Sequence, residues 1–309
     1  MMKNVFCLMG PTAIGKTDLA CLLSDEFPFE LVNVDSSLVY QELNIGAAKP
    51  SSSVLAKYPH HLVNRCHINE IYSVANFCQD AQSICEDILS RGRYPLLVGG
   101  TMMYFNAFQQ GLAKLPSASP EIREQLLAKA AIVGFQTLHE ELAQFDIETA
   151  NRIHANDQQR ILRAHEIYLQ TDKTWSSWLK EHEKQNHFIF HNLALFPEPR
   201  SWLHQRITQR FEQMLQEGFL KEVENILQMP DIHLDHPALK SVGYRQAIMF
   251  LKGELTLEEW PEKAIAATRQ LAKRQMTWLR SFLDKHEFFQ PNALILQEII
   301  DCIKKILDN

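Results

Sequence analysis

Gly10-Pro11-Thr12-Ala13-Ile14-Gly15-Lys16-Thr17 fits G-x-x-x-x-G-K-[ST], the pattern of a phosphate-binding loop. Asn4-Val5-Phe6-Cys7-Leu8-Met9 precedes it, short and apolar like a buried strand. Lys16 to Phe27 follows, with Leu19, Ala20, Leu22, Leu23 and Phe27 at helical spacing. Strand, glycine loop and helix in that order are the context the motif requires. Glycines let the main chain curl around an anion, and N–H groups at the helix start point at it. Lys16 adds a mobile positive charge, and the Thr17 hydroxyl can hold Mg²⁺. The loop alone does not say which phosphate compound it takes.

Working outward, Phe29-Glu30-Leu31-Val32-Asn33-Val34 reads as a second buried strand ending in Asp35-Ser36-Ser37. Polar groups at a strand's C-terminal end lie where open α/β sheets bind ligands. A plain turn or cap is the other reading of Asp35 and Ser36, and position alone does not separate the two. Gly46-Ala47-Ala48-Lys49-Pro50 leads into a Ser-rich loop, and Leu62-Val63 is expected as a short strand. His60-His61 has no partner at metal spacing and reads as structural. Ser73 caps a helix carrying Val74, Phe77, Ala81, Ile84, Cys85, Ile88 and Leu89, ended by Gly92. Pro95 to Thr101 is a third strand breaking at Gly99-Gly100. Alternating strands and helices predict a parallel sheet flanked by helices, an α/β fold of the P-loop NTPase type.

Leu115-Pro116-Ser117-Ala118-Ser119-Pro120 reads as a linker, with Ser119 and Pro120 opening a helix. From there to about residue 187 no strand-like run occurs. An all-helical domain, 116–187, is therefore expected as an insertion into a core of 1–115 and 188–309. Within it, Asn156 or Asp157 starts a helix carrying Gln159, Arg160 and Arg163, the two arginines sharing a face. Phe188 to Phe196 returns the chain to the sheet as its last strand. Arg200 to Gln216 is amphipathic, with Leu203, Ile207, Phe211 and Met214 on one stripe and Arg210 at its edge, able to turn into a cleft. Lys240 to Arg245 reads as a basic helical segment containing Gly243. Thr256 to Glu259 is a capping box, and the long helix after it is expected to bend at Pro261. Arg269, Lys273 and Arg280 fall on one face of that helix, with Arg274 and Trp278 beside them. On a chain of net charge −6, this points to a polyanionic partner.

A length of 309 residues with 46% hydrophobic content fits a globular protein with a full core. Six cysteines, without a C-x-x-C pair, fit a reduced intracellular protein with no zinc site. No stretch has the length of a membrane span, the apolar start is too short for a signal peptide, and a cytoplasmic monomer is expected. There is no internal repeat.

Together the loop, Asp35-Ser36, Gly46-x-Ala48-Lys49-Pro50 and Leu97-Val98-Gly99-Gly100-Thr101 resemble the bacterial tRNA dimethylallyltransferases. So do Asp157-Gln158-Gln159-Arg160, Val242-Gly243-Tyr244-Arg245 and Thr268 to Gln275, in the right order and as far as about Arg280. The resemblance implies transfer of a dimethylallyl group from dimethylallyl diphosphate to N6 of the adenosine just 3′ of the anticodon, with Mg²⁺. It implies that Gly10, Pro11, Thr12, Ala13, Ile14, Gly15, Lys16 and Thr17 hold the diphosphate rather than ATP, with Thr17 on the metal. It points to Asp35 as the base, with the Thr12 hydroxyl beside it, and the residue chemistry adds Lys16 and Arg210 on the leaving group. The anticodon stem-loop is expected on Asp35, Ser36, Ser37, Leu38, Thr101, Arg123, Gln159, Arg160, Arg163, Lys240, Gly243, Tyr244, Arg245, Arg269, Lys273 and Arg274. Two positions depart from the family pattern: Ile14 stands where Ser is usual and Ala47 where Thr is usual. Ile14 keeps its backbone N–H, so the cradle survives. An ATP-dependent small-molecule kinase would use the same loop, and an RNA-binding protein with a nucleotide switch is a second rival. Against the kinase, no arginine-rich lid over a γ-phosphate is evident and the basic surface lies too far along the chain to serve one. The RNA-binding reading predicts tRNA binding that survives loss of Asp35 and no modified base.

Overall fold

The structure, a computed structural model, describes residues 3–113, 115–117, 119–181 and 187–308. It divides into two compact units, one of residues 1–109 and 187–309 and one of residues 110–186. Ala118 of the expected linker and residues 182–186 of the expected helical stretch lie outside the described residues.

The larger unit begins with β1 (Asn4–Met9), α1 (Lys16–Glu26), β2 (Phe29–Val34), α2 (Ser52–Lys57), β3 (His60–His61), α3 (Val74–Ser90), β4 (Tyr94–Gly99) and α4 (Met102–Gln110). The helical unit holds α5 (Pro120–Phe145), α6 (Ile147–Arg152), α7 (Gln158–Thr171) and α8 (Trp175–Lys180). The chain then completes the larger unit with β5 (Ile189–Pro197), α9 (Arg200–Gln216), α10 (Phe219–Leu227), α11 (Tyr244–Leu251), α12 (Glu259–Ser281), β6 (Lys285–Gln290) and α13 (Ile295–Leu307).

The strands form one sheet in the order β3-β2-β4-β1-β5-β6, every pair parallel. Buried on both faces, the central strands are continuous apolar runs rather than alternating ones. One face packs Phe6, Leu8, Leu31, Leu96, Leu193 and Leu195 against α1, α9 and α13. The other packs Val5, Cys7, Met9, Val34, Leu97 and Phe196 against α3, α4 and the end of α12. A third cluster joins α10, α11 and the start of α12 to Val39, Tyr40 and Leu43. The helical unit has its own core of Leu126, Leu138, Leu142, Ile161 and Leu162. Within it Gly134, at φ 82°, breaks α5 into two arms.

Several local expectations change. The short third strand is His60–His61, paired with Leu31 and Val32, and Leu62 instead takes φ 64°, which ends the strand. The Ser-rich loop winds into α2, capped by the Ser51 side chain. Leu22 faces solvent. β5 is not the last strand, because β6 pairs beside it as the sheet edge. With only Phe288 buried, β6 carries no apolar run that would mark it in sequence. α13 buries Ile295, Ile299, Ile300 and Ile303, a helical spacing that was available in the sequence. α12 runs through Pro261 uninterrupted. That residue sits in the first turn, where a missing N–H breaks no helical bond. Lys240–Gly243 is a turn, and α11 starts only at Tyr244 because Gly243 sits at φ 93°.

Candidate active site

The sheet register sets the site. Met9 and Val34 are both level with Gly99, so β1, β2 and β4 end side by side. The next residues are Gly10 of the loop, Asp35 and Gly100. Three segments far apart in sequence thus emerge at one carboxyl edge, where parallel sheets place their ligands. Gly15 caps α1 at φ 97°, a left-handed conformation that glycine takes without a Cβ penalty. That turn aims the first N–H groups of α1 into the cleft.

Two cavities open here. The first, about 810 Å³, is lined by the loop residues Gly15, Lys16 and Thr17, by Lys49 and Ser51, and by Arg206 and Arg210 of α9. The second, about 500 Å³, has an apolar wall including Met103, Phe211, Phe219 and Leu271, and a polar rim including Ser36, Thr101, Lys240 and Arg274. Thr12, Ala13, Asp35, Ala47, Gly100, Arg210, Met214 and Gln275 line both. The cavities therefore meet, and Thr12, Asp35 and Arg210 stand at the junction.

The junction is held by directed hydrogen bonds. Arg210 donates to the Thr12 hydroxyl at 3.5 Å, and Arg206 donates from Nε to the Ala13 carbonyl at 2.8 Å. Lys16 Nζ donates to the Pro11 carbonyl at 2.8 Å. Burial draws the Lys16 ammonium down to about 8, with the nearby Asp35 carboxylate opposing and the Arg210 charge adding to the fall. Burial also lowers Arg210, against the attraction of Asp35. Lys49 is drawn down to about 8 by burial, and it donates to the carbonyls of Tyr40 and Gln41 and to Asn64 Oδ1. An anion entering this cavity meets cations already stripped of much of their water, where charge interactions are strong.

Asp35 is positioned from both sides. Its N–H donates to Asn33 Oδ1, its carbonyl accepts from Asn33 Nδ2, and its Oδ1 accepts from the Ser37 N–H at 2.9 Å. The last bond is also the local turn that the alternative reading of Asp35 foresaw. The Ser36 N–H donates to Thr101 Oγ1 at 3.1 Å, tying the end of β2 to the end of β4. Ser37 and Leu38 are half-buried beside them.

Ile14 is almost wholly buried and belongs to the core beneath the sheet edge, so its side chain does not face the first cavity. Ala47, by contrast, lines both cavities.

The basic residues divide. Arg269, Lys273 and Arg274 are exposed on α12, Lys240 on the turn and Arg245 on α11. In the helical unit Gln159 and Arg160 are exposed, with Arg160 paired to Asp157, which caps α7. Arg123 and Arg163 both pair with the fully buried Glu166, at 3.0 and 3.2 Å. A buried carboxylate must be paired, so these two arginines have a structural duty in that core. Tyr244 is 1% exposed and donates its hydroxyl to Glu222 at 2.6 Å. Its side chain is a core element and offers no surface to an RNA.

Gln275 closes the Thr268 to Gln275 motif but was expected in no site role. Its Oε1 accepts the Thr12 N–H at 2.9 Å, and its Nε2 donates to the Gly100 carbonyl at 2.9 Å. The available signal was its place among Leu271, Ala272, Met276 and Leu279 on the inward stripe of α12. A polar residue on a core-facing stripe is the informative exception.

Among the described residues no group of three His, Cys, Asp or Glu side chains could hold a metal ion. No helix among them is long and apolar enough to cross a membrane.

The sequence model of the IPP transferase family matches residues 38–282. A tRNA dimethylallyltransferase of Legionella pneumophila (strain Corby) is 51% identical over 309 residues, covering 100% of this chain and 99% of its own. One from Coxiella burnetii (strain Dugway 5J108-111) is 46% identical, covering 99% of each. Among solved structures, the tRNA isopentenylpyrophosphate transferase of Bacillus halodurans superposes with a TM-score of 0.73 at 30% identity, covering 99% of this chain and 97% of that one. A eukaryotic dimethylallyltransferase acting on tRNA gives a TM-score of 0.83 at 26% identity over 99% of this chain and 80% of its own. With family similarity over most of its length and relatives sharing about half its residues end to end, this chain belongs to the IPP transferase family.

Proposed function

We propose that this protein transfers the dimethylallyl group of dimethylallyl diphosphate to N6 of the adenosine 3′-adjacent to the anticodon of tRNA. The observation that carries the reading is the meeting of two unlike cavities at Thr12, Asp35 and Arg210. One is built for a phosphate anion, the other for a flat apolar group with a basic rim.

The adenine N6 is a poor nucleophile, because its lone pair is delocalised into the ring. Its alkylation needs a leaving group whose growing charge is stabilised and an acceptor for its proton. Loop N–H groups, Lys16 and Arg210 supply the first, acting on charge that develops as the C–O bond breaks. Thr17 would hold Mg²⁺ against the diphosphate, and that ion would supply further charge neutralisation when bound. Its place as a loop hydroxyl on the phosphate cavity fits such a role, since phosphate oxygens and water complete a magnesium shell. Asp35 accepts the N6 hydrogen bond and finally the proton, with its carboxylate fixed by the Ser37 N–H. Thr12 is oriented by Arg210 on its hydroxyl and Gln275 on its N–H. The adenosine leaves its stack to reach the carbon, at a cost of a few kcal/mol. The exposed cations of α12 and the turn at Lys240 offset this by binding phosphates. Ala47 leaves the wall between the cavities without a side-chain hydroxyl.

The test is incubation of the purified protein with Mg²⁺, labelled dimethylallyl diphosphate and unmodified tRNA. Label entering the tRNA is expected. Phosphoryl transfer from ATP to a small molecule, with no label in RNA, would replace this reading with the kinase.

A further inference from the structure

The phosphate loop and the basic face of α12 are joined by one side chain. Gln275 follows Lys273 and Arg274 directly on that helix, yet its amide reaches the other way. It accepts from Thr12 in the loop and donates to Gly100 at the end of β4. Both bonds are made to backbone, so they constrain where the loop lies and not merely where one side chain points. The Thr12 N–H is thereby engaged by protein, which fixes the curvature of the cradle at its first turn. A second tie runs parallel: Arg269 donates to Thr208 on α9, the helix whose Arg206 and Arg210 grip Ala13 and Thr12. A helix moves as a rigid element, so a small displacement of α12 when its exposed cations engage an anion shifts Gln275 with it.

We propose that Gln275 is a positioning residue that couples occupancy of the basic face of α12 to the geometry of the phosphate loop. Nucleic acid on that helix and diphosphate in the loop then bind cooperatively. This rests on the reading of α12 as the tRNA-facing helix. The amide serves because it accepts and donates at once, spanning a loop N–H and a strand-end carbonyl. By linkage the effect is reciprocal, each ligand tightening the other by the same factor.

The experiment uses inorganic diphosphate with Mg²⁺ and unmodified tRNA, a pair that binds without turnover. Isothermal titration measures the diphosphate Kd with and without saturating tRNA. In the wild-type protein tRNA is expected to tighten diphosphate about tenfold, an ordinary allosteric coupling. Gln275→Met keeps the volume and loses both hydrogen bonds. It should bring the two diphosphate Kd values, with and without tRNA, within about twofold of each other. Gln275→Glu keeps the acceptor for Thr12 and loses the donor to Gly100, and should retain an intermediate coupling. A merely structural glutamine would lower stability and leave the coupling ratio alone. Wild-type coupling preserved in Gln275→Met, or no coupling in the wild type, overturns the proposal. Label transfer to tRNA without coupling sinks this inference alone. Coupling without label transfer sinks the assigned reaction and leaves the inference standing.

Discussion

Gly46→Ala is a one-methyl perturbation with consequences at the two cavities that Ala47 beside it lines. A Cβ built at Gly46 lies 2.2 Å from Phe219 Cε2 and 2.6 Å from Tyr244 Cζ. Ordinary carbon contact is ~3.6 Å, so roughly 1.4 Å of separation is missing. The two rings are nearly inaccessible to solvent and pack edge to face, 5.1 Å between centroids, so they have little room to retreat. The loop is held against them by Glu222. Its Oε2 accepts the N–H groups of Asn44 and Ile45 at 3.1 and 2.7 Å, and its Oε1 accepts the Gly46 N–H at 3.1 Å and the Tyr244 hydroxyl. Moving the loop outward stretches three bonds to a carboxylate. Repacking the rings costs about 1–3 kcal/mol, and losing two or three partly exposed charge-assisted bonds costs about 2–4 kcal/mol. The cheaper mixture of both routes is about 2–3 kcal/mol of lost stability. A residual outward shift carries Ala47 and Lys49 away from the cavity they line. Equilibrium urea unfolding should therefore show a lower midpoint, and steady-state kinetics a donor KM raised several-fold. Wild-type midpoint and donor KM together would refute the reasoning, showing that the ring pair yields freely and the loop position does not matter.

Other outcomes follow from the same site. Burial holds Lys16 and Lys49 at about 8, so both lose their charge as pH rises through that value. Diphosphate affinity is thus greatest below pH 8 and falls above it, and Lys16→Met should bind weakly with a shallower pH slope; an equal slope in both proteins would remove Lys16 from the cradle. Asp35→Asn should cut kcat by about 10²–10⁴, the usual span for a general base, with donor KM little changed. Arg210→Ala should raise donor KM and slow transfer together, whereas a change in tRNA parameters alone would place Arg210 on the RNA side. Affinity for tRNA should fall steeply with added salt, and Lys273→Ala should reduce the slope by about one ion; an unchanged slope would mark Lys273 as merely solvated.

What the sequence determined by itself was local. Gly15 and Lys16 sit in a pattern whose backbone geometry is intrinsic, and the strand before them is an apolar run ended by Gly10. Helix starts at Ser73 and Ser119 were legible, and the third was narrowed to Asn156 or Asp157, because a capping bond spans only three residues. Asp35 was a candidate because it follows a strand, but the level ends of β1, β2 and β4 are what bring it to the loop. Tertiary structure alone decided which way side chains point. It sent Ile14 and Tyr244 inward, set Arg123 and Arg163 on the buried Glu166, and turned Gln275 toward a loop 263 residues earlier in the chain. It also made an edge strand of Lys285–Gln290, whose polar residues carry no signal until β5 lies beside them. The physical reason is range. Propensity, capping and periodicity act within a few residues. The partner of a buried carboxylate or the support of a phosphate loop is fixed only when distant segments close on each other and their polar groups must be satisfied.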